Sequence, residues 1–314
     1  MISATEQTIE ALRATHYNAN LVDRVDVTDD LFRIRVRPDQ ALAPFRPGQF
    51  VAVGLGYWES RVQPSQAETV PEKKWDKLIR RAYSISCPML DRDGNLVSCN
   101  DLDYLEFYIA LVRGADGCGQ PAPALTPRLF SLGVGDRLFL ASKITGTYTL
   151  TGVAPTDTVL MISTGTGEAP HNAMTAELLS GGHTGKIVQV TSARHRCDLG
   201  YFAEHQRLMD RFPNYQYVPI TTREPENLDP EHPGFVGKQY VQNLFITGEL
   251  ADMVGDPLSP KNTHAYLCGN PSMIGFVPPG GKPLTQPGML PLLQLAGFTA
   301  DEPGCGHVRF EKYW

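Results

Sequence analysis

No stretch of this sequence approaches the ~18 consecutive apolar residues that a membrane-spanning helix requires, so no membrane insertion is expected. Positive charge is not in excess. The chain carries 28 Lys and Arg against 34 Asp and Glu, a formal net charge of -6, which argues against a general nucleic-acid binder. Cysteine is sparse and unpaired: the closest of the six, Cys87 and Cys99, lie twelve positions apart. That spacing excludes a Cys-x-x-Cys metal or redox pair and the ligand runs of an iron–sulfur module. Residues 1–15 are polar, carry Glu6 and Glu10, and contain no apolar segment of the kind a secretory signal needs. Free thiols and no export signal together predict a reducing cytoplasm.

What remains is a globular composition, 42% hydrophobic and 20% charged, over 314 residues, enough for two domains. The chain has two rhythms. Its first half reads as short β-strands, at 20–37 with a break at Thr28-Asp29-Asp30, then at 49–55, 82–87, 105–112, 137–141 and 148–150. Such strands punctuated by turns predict a small antiparallel Greek-key barrel. The second half alternates. Strands at 158–163, 186–191, 216–221 and 264–268 are separated by helical patterns at 173–179, 203–211 and 239–244, the order of a doubly wound parallel sheet. Gly152, Pro155 and Asp157 break the pattern, placing the expected boundary between 1–152 and 153–314. Segments 57–78 and 276–288 fit neither rhythm and read as loops.

Several short constellations carry chemistry. Arg81-Ala82-Tyr83-Ser84 combines a cation for a pyrophosphate, an aromatic wall and a hydroxyl. Ala124-Leu125-Thr126-Pro127 offers Thr126 as an N-cap and Pro127 as first helical residue of a short helix over 127–132. That helix start suits a pyrophosphate, although taken alone an ordinary surface helix is the better reading, since such caps are common. Thr164-Gly165-Thr166-Gly167 follows an apolar strand and precedes a helix, where glycines let backbone amides approach a phosphate. Cys268-Gly269-Asn270-Pro271-Ser272-Met273 closes another strand. Both turns belong at the carboxyl edge of the sheet, where ligands bind in such folds. Taken alone, Cys268 reads as a packed thiol. The terminus, Glu311-Lys312-Tyr313-Trp314, sets two aromatics side by side.

In their order and combination these motifs resemble the ferredoxin/flavodoxin–NADP(+) reductase family, most of all its bacterial branch ending in Tyr-Trp, from about Leu21 to Trp314. The resemblance implies a barrel binding FAD and a following domain binding NADP(H). By the family pattern Arg81, Ala82, Tyr83, Ser84, Ala124, Leu125 and Thr126 hold the flavin. Thr164 to Gly167, Asn270, Pro271 and Met273 hold the pyridine nucleotide, Tyr313 and Trp314 cover planar rings, and Ser84, Cys268 and Glu311 lie beside the reacting nicotinamide. Arg194 and Arg223 follow successive strands next to Ala193 and Thr222. With Lys238 they supply cations for a 2′-phosphate and favour NADP(H) over NAD(H). Glu168 and His171 depart from the family, which carries apolar or aromatic residues there. A carboxylate beside a phosphate turn is electrostatically unhelpful, and His171 reads equally as a surface residue or a ligand contact.

The implied activity is electron transfer between NADP(H) and ferredoxin or flavodoxin by a monomer. The rivals are an NADPH-dependent flavin or ferric reductase and a non-catalytic flavoprotein relay. Lys73, Lys74, Lys77, Arg80 and Arg81 form a basic cluster on which an acidic carrier could dock; Glu72 and Asp76 dilute it, a solvated loop is at least as good a reading, and Arg81 is better assigned to FAD.

Overall fold

The computed structural model describes residues 6–115, 120–255, 258–277, 283–300 and 307–313. The chain divides into two compact units: Met1–Phe45 with Gln49–Ile85 and Asn100–Gly146, and Arg46–Gly48 with Ser86–Cys99 and Thr147–Trp314.

The first unit opens with helix α1 (Glu6–His16), which buries none of its residues. Its polar composition gave no sign of it. An ionic node ties the helix down, beside a partly covered face of Ile9, Leu12 and His16. Arg13 donates to both oxygens of the nearly buried Glu59, at 2.9 and 2.6 Å. Tyr17 and Trp58 donate to the same carboxylate at 2.8 and 2.9 Å. Burial alone would raise the Glu59 pKa, but these donors outweigh it and hold the carboxyl below its ordinary range.

Six strands follow: β1 (Ala19–Thr28), β2 (Leu31–Pro38), β3 (Phe50–Gly56), β4 (Leu78–Ser84), β5 (Leu105–Ala110) and, after the short helix α2 (Thr126–Leu129), β6 (Arg137–Leu140). They form one antiparallel sheet in the order β4-β3-β6-β1-β2-β5. Within it, β6-β1-β2-β5 is a Greek-key order, with β6 returning to lie beside β1. The two end strands β4 and β5 meet through an edge-on contact of Tyr83 with Phe107, ring centroids 6.4 Å apart. β4 starts earlier than the sequence pattern suggested. Its partner β3 extends pairing back to Gly56 opposite Leu78, which draws the polar Arg80 and Arg81 into the ladder.

Segment 57–78 is not a free insertion. Val62 N–H donates to the Pro127 carbonyl at 2.8 Å, Gln66 N–H to Arg113 at 2.7 Å, and Arg128 pairs with Glu68 at 2.7 Å.

In the second unit β7 (Thr158–Thr164), α3 (Glu168–Ser180), β8 (Ile187–Ala193), α4 (Phe202–Arg211) and β9 (Tyr215–Thr221) alternate. Then come α5 (Pro225–Leu228), α6 (Val241–Thr247), α7 (Glu249–Val254), β10 (Thr263–Gly269), α8 (Pro271–Ile274), α9 (Met289–Leu295) and β11 (Val308–Lys312). The sheet is wholly parallel, in the order β11-β10-β7-β8-β9. The chain therefore winds outward from β7 in one direction, then returns to β7 and winds out in the other, which makes the gap between β7 and β10 a topological switch point. Leu160, Ile162, Val188, Val190, Ala265 and Leu267 supply the apolar strand residues of its core.

Three further expectations differ from the structure. Residues 148–150 form no strand, and Tyr148 is buried in the second unit. Val308–Lys312, where the sequence pattern gives no strand, pairs with β10 as an edge strand. α3 begins five residues before the apolar pattern, because its first turn, Glu168 to Asn172, is buried despite its polar side chains. Part of the 276–288 loop, residues 278–282, lies outside the described residues.

Candidate functional site

The switch point is built from two glycine turns that interlock. Thr164 ends β7, and Gly165–Gly167 forms a single tight turn that leads directly into α3. Gly165 sits at φ +51 with open space where a Cβ would be, so its backbone is free for close approach. A Cβ at Gly167 would lie 2.4 Å from the Cys268 carbonyl oxygen. Across the gap, Gly269 adopts φ +118, and a Cβ there would lie 2.4 Å from Thr164 Oγ1. The Thr164 hydroxyl accepts from Asn270 N–H at 2.7 Å, and Asn270 Oδ1 accepts from Ser272 N–H at 2.9 Å. Thr164 to Gly167 and Asn270, Pro271 and Met273, separated by some hundred positions in sequence, are thus one assembly at the carboxyl end of the sheet.

β11 adds the next members. Glu311 lies opposite Cys268 in register, and Tyr313 N–H donates to the Gly269 carbonyl at 2.9 Å. Burial pushes the Cys268 thiol pKa well up, although hydrogen bonding to the Tyr313 side chain works against this. Cys268 is therefore a protonated thiol at neutral pH, neither a thiolate nucleophile nor a base. Trp314 lies outside the described residues.

At the outer end of the same edge, Arg223 N–H donates to the Arg194 carbonyl at 2.9 Å, and Thr222 Oγ1 donates to the Ala193 carbonyl at 3.2 Å. Gly237 N–H donates to the Glu226 carbonyl at 3.2 Å, which brings the segment bearing Lys238 to α5, immediately after Arg223. The side chains of Arg194, Arg223 and Lys238 are exposed. Arg196, which the sequence reading passed over, is instead tied to Glu226 at 2.9 Å.

In the first unit Arg81, Ala82, Tyr83 and Ser84 occupy the last half of β4. Arg81 is exposed, with Nη1 donating to the Arg80 carbonyl at 2.8 Å; Tyr83 is partly covered and Ser84 is buried. Arg80 is held over the Phe139 ring at 4.2 Å. Thr126 does not cap the short helix. Leu125 precedes it with helical dihedrals, Thr126 is its first residue, and the Thr126 hydroxyl accepts from Val112 N–H at 3.1 Å. The helix is one turn, not the six residues expected, because its carbonyl at Pro127 is taken by the incoming 57–78 segment. Ala124 accepts from the buried Arg128 at 2.6 Å.

His171 is neither a surface residue nor a ligand contact. It is fully buried, with Nε2 2.7 Å from the Tyr148 hydroxyl. Burial drives its pKa down to about 3, so it is neutral at pH 7. In the unfolded chain an imidazole titrates near ~6.5. Its stabilising effect is therefore complete above that pH and is lost progressively as pH falls from about 6.5 towards 3. Between pH 6.5 and 4, urea unfolding should show a shallower loss of stability for His171→Gln than for the wild type; parallel slopes would exclude the assignment.

Residues 161–278 match the family model described as an oxidoreductase NAD-binding domain. The chain is 27% identical over 288 residues to a flavodoxin/ferredoxin–NADP reductase of Escherichia coli (strain K12), covering 91% of this chain and 94% of the relative. The chain is similar to the flavodoxin/ferredoxin–NADP reductases. A Pseudomonas aeruginosa ferredoxin–NADP reductase is 28% identical over 78% of this chain and 81% of its own length. Among solved structures, a reductase of this kind from Neisseria gonorrhoeae with bound FAD and NADP superposes with a TM-score of 0.66 at 18% identity, covering 94% of this chain and 97% of that one. The Plasmodium falciparum ferredoxin-NADP+ reductase with 2'P-AMP gives 0.62 at 15% identity, with 95% and 96% covered. The barrel-like sheet and the parallel sheet are thus the two halves of the reductase fold.

Proposed function

We propose that this chain is an FAD-dependent ferredoxin/flavodoxin–NADP(+) reductase, moving electrons between NADP(H) and a one-electron carrier. The interlocked turns at the switch point carry the reading. They present a glycine backbone with open space at Gly165, at the place where a parallel sheet takes a dinucleotide. In this reading residues 1–152 serve the flavin and 153–314 the nucleotide. Bound FAD supplies the conversion between a two-electron hydride and single electrons.

The chain's own residues bind and orient. Thr164 to Gly167 direct backbone amides at the nucleotide pyrophosphate, and Asn270, Pro271 and Met273 border it. Arg194, Arg223 and Lys238 take the 2′-phosphate, with Ala193 and Thr222 shaping that turn. Arg81 neutralises the flavin pyrophosphate, Tyr83 offers its ring face, and the Ser84 hydroxyl serves as a hydrogen-bonding group. Ala124, Leu125 and Thr126 form the second flavin turn. Cys268 and Glu311 line the nicotinamide position, Cys268 as a neutral thiol, and Tyr313 with Trp314 stacks on a planar ring. The exposed Lys73 and Lys74 suit an acidic carrier. The protein acts as a cytoplasmic monomer; among the described residues no helix is long and apolar enough to cross a membrane.

The purified protein should be yellow, reduce ferricyanide with NADPH, and pass electrons to ferredoxin or flavodoxin. A colourless protein that takes up no FAD would overturn the reading. Ferricyanide reduction without transfer to any tested carrier would move it to a reductase acting on small acceptors.

A further inference from the structure

The turn at Gly165–Gly167 runs straight into a buried carboxylate. Glu168, the first residue of α3, is fully buried. Its Oε1 accepts from three donors on three other elements: Thr191 Oγ1 on β8 at 3.2 Å, His205 Nε2 on α4 at 3.0 Å and Tyr217 Oη on β9 at 2.9 Å. Three contacts thus converge on one oxygen, while the buried Oε2 has no hydrogen-bond partner among the described residues. The His205 ring is itself fully buried and stacks on Tyr217, centroids 3.9 Å apart and planes 14° from parallel.

The far side of the imidazole is also bonded. His205 Nδ1 lies 2.7 Å from the Tyr215 hydroxyl, which lies 3.4 Å from Gln189 Oε1. Gln189 in turn accepts from Thr175 at 2.9 Å and donates to Asn172 Oδ1 at 3.0 Å. Glu168, Asn172 and Thr175 stand at i, i+4 and i+7, one face of α3. Of the side chains joined in this network, Asn172, Thr175, Gln189 and Thr191 carry no charge. Burial, reinforced by Glu168, holds Tyr215 and Tyr217 protonated.

The ring contacts of His205 can be kept in two protonation states with the heavy atoms in place, Glu168 Oε2 and Asn172 Nδ2 lacking a partner among the described residues in both. With one ring proton, His205 donates from Nε2 to Glu168 and accepts at Nδ1 from Tyr215. With two, Nδ1 donates to Tyr215, whose own proton turns to Gln189 Oε1. The first state leaves a net negative charge at the start of α3; the second is neutral.

We propose that Glu168 and His205 form a proton-linked pair beneath the Thr164–Gly167 turn that sets how tightly the turn holds an anionic nucleotide. The proposal rests on the nucleotide reading of that turn. A helix N-terminus favours negative charge, and a buried carboxylate at its first residue already occupies that field. It therefore opposes a second anion at the same place until His205 takes its second proton. Nucleotide binding and protonation of His205 then favour each other. Both are positioning residues, acting through the turn.

The test uses the FAD-loaded protein and NADP+ as probe. Its Kd is measured from pH 5.5 to 8.5, with proton uptake from calorimetry in buffers of different ionisation heat. The probe's 2′-phosphate titrates alike in all proteins, so only differences count. At pH 8.5, Glu168→Gln should bind about tenfold more tightly than the wild type. His205→Gln should stay at the wild-type affinity of pH 8.5 across the range, and both variants should lack the extra proton uptake. Weaker binding in both, or equal uptake in all three, would overturn the proposal. If a variant fails to fold, the 15N ring signals of His205 in the wild type decide. NADP+ should move them towards imidazolium, and unmoved signals would overturn it. Failure of the wild type to bind NADP+ at all would remove the nucleotide reading as well, whereas binding without proton linkage removes this proposal alone.

Discussion

Replacing Arg223 with alanine is expected to raise the KM for NADPH by about tenfold to a hundredfold, the range of one lost charge-assisted hydrogen bond, with little change for NADH. The physical basis is the difference between the two nucleotides. Only NADPH carries the 2′-phosphate, a group that needs cations whose charge is not already spent. Arg223 and Arg194 are joined through their backbones at the ends of β9 and β8, and their side chains are exposed. Arg196, one turn away, is already paired with Glu226 and is expected to matter much less. Steady-state kinetics with both nucleotides, on Arg223→Ala and Arg196→Ala, measure this directly. Equal effects on NADPH and NADH would refute the role of Arg223, and a larger effect from Arg196 would relocate the phosphate.

The second large effect is structural. Gly269→Ala should destabilise the protein by about 3 kcal/mol, the sum of a strained positive φ and a forced contact. The added Cβ would lie 2.4 Å from Thr164 Oγ1 and 2.7 Å from the Thr164 carbonyl oxygen. The backbone atom cannot yield as a flexible side chain would. The displaced Thr164 would also release Asn270 N–H, so nucleotide binding should fall along with stability. Gly165→Ala provides the contrast. Its Cβ would meet nothing within 4 Å, leaving only the cost of φ +51, so its effect on stability should be the smaller. Urea unfolding of the two variants decides the order; Gly165→Ala proving the more damaging would contradict the interlocked-turn description.

The contrast between Gly165 and Gly269 also marks how far the sequence could be read. Both glycines were visible as turn residues after apolar strands, and strand periodicity placed them at one edge of a parallel sheet. Nothing local in Thr164 or Gly269 indicated that each fills the space the other leaves. Likewise the strand at 264–268 was legible from its apolar run, but its neighbour β11 was not. Val308–Lys312 is short and its sequence, Val-Arg-Phe-Glu-Lys, has no continuous apolar character, so only pairing with β10 makes it a strand. α1 was missed for the opposite reason: its ionic anchor is Glu59, more than forty positions away.

Glu168 is the sharpest case. Beside a glycine turn its charge looked misplaced, and the sequence offered no reason for it. The reason is spread over Thr191, His205 and Tyr217, on three elements that meet only when β8 and β9 line up beside β7 and α4 packs against them. The sequence by itself determined the two rhythms of the chain, the order of its binding motifs and the carboxyl-edge placement of its glycine turns, because propensity and periodicity act over a few neighbouring residues. Only the tertiary structure decided which buried polar groups are satisfied, that Thr126 is not a cap, and that His171 is held neutral. Desolvation and hydrogen bonding depend on what the rest of the chain brings within about 3 Å, and that information has no local signature.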